Sequence, residues 1–289
     1  MSENRLLNAI RGKGKNLEAE MSFFDHLEVL RWHLIRAAAS IIVFAAVAFY
    51  FFDNIWQNII MGPKHGDFFT YRMLCKLGEL LHSTGMCIST DLPGKIINTE
   101  MAGQFSLQIN SSIMIGIMLG FPYLLWEVWR FVKPALEEKE QKAASGFVFF
   151  ASTLFAIGIL FGYYIVAPLS LHFLTNYTIS PDIQNTFTID SYLTSVATLT
   201  LVSGIVFQLP VIVYILATLG ILTPKFMREK RRYAIIIIMI IAMLVTPTPD
   251  VTTMLVISAP LFLLYEVSII VAARVQKRKA KKREEFFNS

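Results

Sequence analysis

Charged side chains are scarce in this chain. Asp, Glu, Lys and Arg make up 16% of its 289 residues, whereas hydrophobic residues make up 55% and the mean hydropathy is +0.55. A water-soluble domain needs more surface charge to stay dissolved. The composition therefore excludes an ordinary soluble domain and indicates a membrane protein. The net charge of +5 does not indicate nucleic-acid binding, because the basic residues lie at the ends of apolar segments.

Catalytic signatures are also missing. The sequence contains no GxSxG elbow, no HExxH pair and no Gly-rich loop followed by a P-loop lysine. Its five histidines show no spacing typical of metal ligands. We therefore expect no enzyme activity, no metal site and no cofactor.

Long apolar runs are what the sequence does contain. A helix needs about 20 apolar residues to cross a hydrocarbon core of about 30 Å. The runs do not alternate apolar and polar positions as the strands of a membrane barrel do. The sequence predicts an all-α membrane protein with six transmembrane helices at residues 32–52, 107–126, 147–173, 192–219, 234–246 and 251–272. We divide it into an amphipathic cytoplasmic segment (1–31), the six-helix domain (32–273) and a basic cytoplasmic tail (274–289).

The distribution of Lys and Arg predicts the orientation, because basic loops stay in the cytoplasm. The amino-terminal segment, the second-to-third and fourth-to-fifth loops and the tail are basic, whereas the third-to-fourth loop and residues 247–250 contain neither Lys nor Arg. Six spans therefore place both termini in the cytoplasm. Cys75 and Cys87 then lie in the long first outer loop, where an oxidising compartment permits a disulfide. Two free thiols are the open alternative.

The last two spans are short. Residues 234–246 give about 20 Å of helix at about 1.5 Å per residue, and the sixth span contains Pro260 and Glu266. We expect this hairpin to thin the membrane locally or to open onto a water-filled cavity. Packing inside a larger complex is the open alternative.

Polar residues within the spans are candidates for function, since their burial in lipid is costly. Gln208 precedes Pro210 in the middle of span four, where a proline kink frees a carbonyl that the amide can bind. Glu266 in span six has no evident partner in the sequence and is placed to reach the cytoplasmic surface. Hydroxyl residues at helical spacing in span four more often hold helices together than bind a substrate.

Five motifs follow one another along the chain. Residues 24–31 read Phe-Asp-His-Leu-Glu-Val-Leu-Arg, residues 131–140 read Phe-Val-Lys-Pro-Ala-Leu-Glu-Glu-Lys-Glu, and residues 207–210 read Phe-Gln-Leu-Pro. The remaining two are Leu-Thr-Pro at 222–224 before Arg-Arg-Tyr at 231–233, and Thr-Pro-Thr-Pro-Asp-Val at 246–251 before Leu-Tyr-Glu at 264–266. Together they resemble the TatC family, the multispan core of the twin-arginine protein translocase, over about residues 23–273.

The resemblance implies a function that needs no catalysis. It implies a receptor in the bacterial inner membrane that binds the twin-arginine signal peptides of precursor proteins at its cytoplasmic face. It also implies a hetero-oligomer with single-span partners of the TatA and TatB type, which lets folded proteins cross the bilayer.

The resemblance also implies a signal-peptide site. Glu140 is the expected arginine contact, with Phe131 beside it. A carboxylate can accept two parallel hydrogen bonds from one guanidinium, and a lysine ammonium cannot reproduce this bidentate geometry. The amino-terminal glutamate of the family falls on Val29 here, so Glu28 and Asp25 are the substitutes, within the motif that ends at Arg31. The further candidate residues are the polar or partner contacts Gln208, Glu266 and Asp250, and the structural prolines Pro134, Pro210, Pro249 and Pro260.

A multispan small-solute transporter is the alternative function. Such a transporter predicts inverted repeats and an intramembrane charge pair near the midplane, and neither is evident in the sequence. A membrane-embedded enzyme predicts a clustered nucleophile, base or metal, which is also not evident.

Overall fold

The computed structural model describes residues 23–80, 96–133, 146–180, 182, 185–218, 220–245 and 251–287. Within these ranges, five helices are long and apolar enough to cross a membrane: Glu28–Tyr50, Gly103–Val132, Phe147–Asn176, Ile189–Thr218 and Met254–Lys277. The predicted all-α membrane fold is confirmed.

The secondary structure runs as follows. The α-helices are α1 (Phe23–Tyr50), α2 (Phe52–Ile55), α3 (Phe69–Leu80), α4 (Gly103–Val132), α5 (Phe147–Phe161), α6 (Ala167–Asn176), α7 (Ile189–Val206), α8 (Leu209–Thr218), α9 (Pro224–Glu229), α10 (Arg231–Val245) and α11 (Val251–Phe287). Two π-helical segments (Trp56–Ile60 and Gly162–Val166), one 3-10 turn (Gly62–Lys64) and two strands, β1 (Ile96–Ile97) and β2 (Phe187–Thr188), complete the described chain.

Helices α1 and α4 pack along each other through glycines. A Cβ atom placed on Gly116 of α4 would lie 2.8 Å from the Cβ and backbone nitrogen of Ala45 in α1, and 2.8 Å from the carbonyl oxygen of Ile41. Small residues let membrane helices approach this closely, and the close approach supplies the van der Waals contact that holds them together in lipid. We call this contact of Gly116 with Ile41 and Ala45 the α1–α4 seam. It fixes how the start of α1 meets the end of α4.

The third and fourth spans are each interrupted by proline. Pro168 has no N–H to continue the helix between α5 and α6, and a π-helical turn at Gly162–Val166 precedes it. In the fourth span, α7 ends at Val206 and α8 begins at Leu209, one residue before Pro210, which is buried. The kink predicted at Pro210 is therefore present as a break between two helices.

The last hairpin differs in its two arms. Helix α10 has 15 residues, which at about 1.5 Å per residue gives about 22 Å. Helix α11 has 37 residues and contains Pro260 in its interior. It continues through residues 274–287, which the sequence had assigned to a solvated tail.

The segment between α1 and α4 contains structure that the sequence did not predict. Strand β1 pairs in parallel with β2, so that Ile96 opposes Phe187. Tyr71 of α3 is fully buried, and its hydroxyl lies 3.1 Å from the carbonyl oxygen of Pro63 and 3.2 Å from that of Pro168. Burial raises the pKa of Tyr71 well above its usual range. The segment between α1 and α4 is thus packed onto the third span near Pro168.

Candidate functional site

A buried carboxylate joins the start of α1 to the end of α4. The Glu127 side chain is 1% exposed. His33 Nδ1 of α1 donates a hydrogen bond to Glu127 Oε2, and Tyr123 OH donates to Oε1 at 2.8 Å. Both carboxylate oxygens are therefore satisfied, which a buried charge requires.

Arg130 adds positive charge at the rim of this cluster. Its Nη1 lies 3.7 Å from Glu127 Oε1, and its guanidinium carbon lies 4.8 Å from the centre of the Trp126 ring. The Arg130 side chain is 45% exposed, so solvent screens this ion pair. We call His33, Tyr123, Glu127 and Arg130 the Glu127 cluster.

The Glu127 cluster adjoins part of the predicted signal-peptide site. Phe131 contacts His33 edge-on, with the ring centres 6.2 Å apart. Glu28 and Arg31 are exposed on α1, within two helical turns before His33. The structure thus brings Phe131 together with α1, and leaves Glu28 and Arg31 open to solvent at the same end of the bundle.

Several predicted residues cannot be placed. Pro134, Glu140, Pro249, Asp250 and Cys87 lie outside the described residues, as does the side chain of Asp25. Cys75 is disulfide-bonded. The pairing of Cys75 with Cys87 stays a prediction.

Gln208 lies at the break in the fourth span, where only 7% of its surface is exposed. Its Nε2 donates to the carbonyl oxygen of Ala151 in α5 at 3.0 Å. The amide therefore bridges two spans and does not bind a carbonyl freed by its own kink. Its Oε1 atom is buried and accepts no hydrogen bond from the described part of the chain.

Glu266 has a partner that the sequence did not reveal. Arg231 Nη2, at the first residue of α10, donates to Glu266 Oε2 at 2.7 Å. The Arg231 and Glu266 side chains are 48% and 30% exposed. The partner was not evident in the sequence, because it lies 35 residues away on the neighbouring helix. Pro260, on the same helix, is half-buried.

A mostly apolar cavity of about 310 Å³ lies between α4 and the third and fourth spans. Its lining includes Ser111, Met114, Tyr163 and Thr200. The Thr200 hydroxyl has no hydrogen-bond partner among the described residues. This lining suits an apolar side chain and brings together no nucleophile and base.

Metal binding finds no support in the described ranges, where no group of three or more His, Cys, Asp or Glu side chains could hold an ion.

Sequence reasoning missed the Glu127 cluster because it ended the second span at Trp126, one residue before the carboxylate. The available signal was a glutamate at the end of an apolar helix, opposite a histidine in the preceding span. Such a pair is visible only once the two spans are known to be neighbours.

Comparison with known proteins gives a consistent result. The chain matches the family model described as "TatC: Sec-independent protein translocase protein (TatC)" over residues 25–260. The protein described as Sec-independent protein translocase protein TatC from Blattabacterium sp. subsp. Periplaneta americana (strain BPLAN) is 34% identical over 268 residues, which cover 92% of this chain and 100% of that protein.

Two crystal structures are similar to the whole bundle. Both are described as the twin-arginine translocase receptor TatC, one of them in the detergent DDM. The first is 28% identical with a TM-score of 0.61, and the similarity covers 87% of this chain and 99% of that one. The structure in DDM is 29% identical with a TM-score of 0.64, and the similarity covers 86% and 99%.

Proposed function

Because the chain belongs to the TatC family, we propose that it binds twin-arginine signal peptides at the end of the bundle where α1 begins and α4 ends. Family membership makes the chain a multi-pass membrane component of a protein translocase and not an enzyme. The small-solute transporter is accordingly set aside.

The observation that carries the proposal is the Glu127 cluster. A buried carboxylate bonded to both helices fixes the start of α1 against the end of α4. Residues that are far apart in sequence are thereby held at one end of the bundle. A binding site on rigid helices keeps its donors and acceptors in place before the ligand arrives, which lowers the entropic cost of binding.

Each proposed residue has a distinct role. Glu140 accepts a guanidinium of the signal peptide through both oxygens, and Phe131 supplies an apolar surface beside it. Glu28 and Asp25 supply the second carboxylate in place of the residue replaced by Val29. Arg31 lies three positions after Glu28, on the same face of the helix, and completes the amino-terminal part of the proposed site.

Photo-crosslinking tests this site. A photo-crosslinking residue at position 140 in membrane vesicles should capture a twin-arginine signal peptide and should capture a twin-lysine version several-fold less. The matched control carries the same residue at Ile179, which is 86% exposed in the loop after α6, and should capture neither peptide. Equal capture of both peptides at position 140, or equal capture at position 179, would count against the site.

Assembly with single-span partners of the TatA and TatB type is the second part of the proposal. Gln208 is the first proposed contact, because its Oε1 atom accepts no hydrogen bond within the described residues and unpaired polar groups in lipid are costly; a donor on a partner helix reaches this atom only where the break between α7 and α8 opens. Glu266 and Asp250 are the further proposed contacts. Gln208→Leu should lower recovery of the single-span partner in a detergent pull-down, whereas Ser195→Ala should not. The Ser195 hydroxyl already donates to the Ser191 carbonyl of its own helix. Unchanged recovery with Gln208→Leu would remove Gln208 from the partner contact.

The disulfide and the orientation belong to the same proposal. Cys75 pairs with Cys87, the only other cysteine in the sequence, in a loop that faces the oxidising side of the bacterial inner membrane. Both termini then lie in the cytoplasm.

A further inference from the structure

A basic cleft lies between the short helix α9 and the extension of α11. The cleft has a volume of about 520 Å³. Its lining includes Lys225, Arg228 and Glu229 of α9, and Ala273, Gln276 and Lys277 of α11. Residues 274–289 were predicted to form a solvated tail, so a concave surface was not expected here.

The cleft is firmly built. The Thr223 hydroxyl caps α9 by accepting the backbone N–H of Phe226 at 3.3 Å, and Pro224 occupies the first turn. Met227 is 4% exposed against α11, and Tyr265 OH donates to its carbonyl oxygen at 2.7 Å. Helix α9 is therefore held on α11 by an apolar contact and a hydrogen bond, so the walls of the cleft keep their separation.

The cleft carries uncompensated positive charge. Lys225, Arg228 and Lys277 are all exposed, and none of them forms an ion pair within the described ranges. Nearby Arg231, by contrast, is paired with Glu266. Glu229 contributes the one carboxylate of the lining, so three cations face one anion. Such a cleft favours an anionic group.

The position of the cleft indicates which anion fits. The apolar run of α11 gives way to basic residues from Arg274 onwards, so the cleft, which Ala273 and Lys277 line, lies where this helix leaves the hydrocarbon. Apolar side chains within three residues of the lining residues along the chain are exposed: Ile221 is 67% exposed, Phe226 51% and Ile270 51%. A free anion or an acidic peptide needs no apolar neighbour, whereas a phospholipid presents a phosphate directly above its acyl chains.

We propose that this cleft binds the headgroup of an anionic phospholipid from the cytoplasmic leaflet. Lys225, Arg228 and Lys277 surround the phosphate, and the Gln276 amide donates a further hydrogen bond. The acyl chains lie along the exposed apolar side chains below. The bound lipid fixes α9 at the membrane surface and ties the loop between α8 and α10 to the end of α11.

Native mass spectrometry of the purified full chain tests the proposal. The wild-type protein is titrated with phosphatidylglycerol, with zwitterionic phosphatidylethanolamine and with inorganic phosphate. The cleft variant K225Q/R228Q/K277Q is compared with K230Q/R232Q/R274Q, which removes three exposed cations at the same end of the bundle but outside the cleft lining. The cleft variant should bind phosphatidylglycerol at least about tenfold more weakly, since it loses the three cations that attract the phosphate. The control should stay within about twofold of wild type.

A second measurement uses the unaltered chain, so it does not depend on the variants folding. A photoactivatable phosphatidylglycerol should crosslink to residues 221–229 and 273–280 in preference to other parts of the bundle, and a phosphatidylethanolamine probe should not. Equal loss of binding in both variants, crosslinks spread evenly along the bundle, or inorganic phosphate competing as well as the lipid would overturn the proposal.

Discussion

At the scale of single residues, burial separates two carboxylates that look alike in the sequence. Glu127 is 1% exposed and bonded by His33 and Tyr123, whereas Glu266 is 30% exposed and paired with a half-exposed arginine. Removing one partner of a buried ion pair leaves the other polar groups without compensation, which is far more costly than breaking a solvated pair. Position in the fold therefore decides how much each carboxylate stabilises the protein.

Glu127→Ala should lower the free energy of unfolding by about 3 kcal/mol, because His33 and Tyr123 lose their shared acceptor in a buried site. Glu266→Gln should cost no more than about 1 kcal/mol, since its pair with Arg231 is open to solvent. Denaturant titration of both variants in detergent micelles measures the difference. Equal destabilisation would mean that Glu127 does not join α1 to α4.

At the scale of helices, the α1–α4 seam depends on the missing side chain of Gly116. The closest atoms belong to the backbone of α1 as well as to Ala45, and backbone cannot move aside as a flexible side chain can. Gly146, at the start of α5, has no atom within 4 Å of an added Cβ. These two glycines form a matched pair for testing the seam.

Gly116→Ala should lower the free energy of unfolding by about 1–3 kcal/mol, the usual cost of forcing extra volume into a packed contact. Gly146→Ala should change it by less than about 1 kcal/mol, because the added Cβ meets no atom and alters only the preference at the N-cap. The same titration in micelles measures both. A Gly116→Ala protein as stable as wild type would show that the helices are not in contact there.

The short α10 makes a separate prediction. Its 15 residues should shield a shorter stretch from water than the 30 residues of α4 do. Single cysteines are placed along residues 234–264 and 103–132, in a chain whose own cysteines are replaced by serine, and are exposed to a membrane-impermeant thiol reagent. The protected stretch in α10 should be about 15 residues or fewer, against about 20 for a full span. Equal protected lengths would contradict local thinning.

The sequence allowed the long helices to be predicted because apolar runs report burial in lipid directly. The break at Pro210 could also be predicted, because a proline lacks the backbone N–H that would continue the helix. The sequence did not reveal the Glu127 cluster, the Arg231–Glu266 pair or the β1–β2 pairing, because each joins residues between 35 and 94 positions apart. Sequence reasoning did not predict that α11 continues to Phe287. A run of Lys, Arg and Glu is compatible with a helix as well as with a solvated coil, so the composition alone did not distinguish them.

At the scale of the whole molecule, the proposed function depends on which side of the membrane each end faces. The Glu127 cluster, α9 and the last residues of α11 carry most of the site and the basic cleft, and the proposal places all of them in the cytoplasm. Reagent added outside spheroplasts should label a cysteine at Ile179 and leave cysteines at Glu28 and Lys277 unlabelled until the membrane is permeabilised. Labelling of position 28 or 277 in intact spheroplasts would reverse the orientation.

Charge reversal at Glu140 tests the central claim most directly. Export of a twin-arginine precursor is measured in cells that carry Glu140→Lys, with Glu138→Lys in the same loop as a control of equal charge change. At equal membrane levels, Glu140→Lys should abolish export, because a lysine at this position repels the paired arginines, and Glu138→Lys should retain it. Full export with Glu140→Lys would contradict recognition of the signal peptide at this end of the bundle.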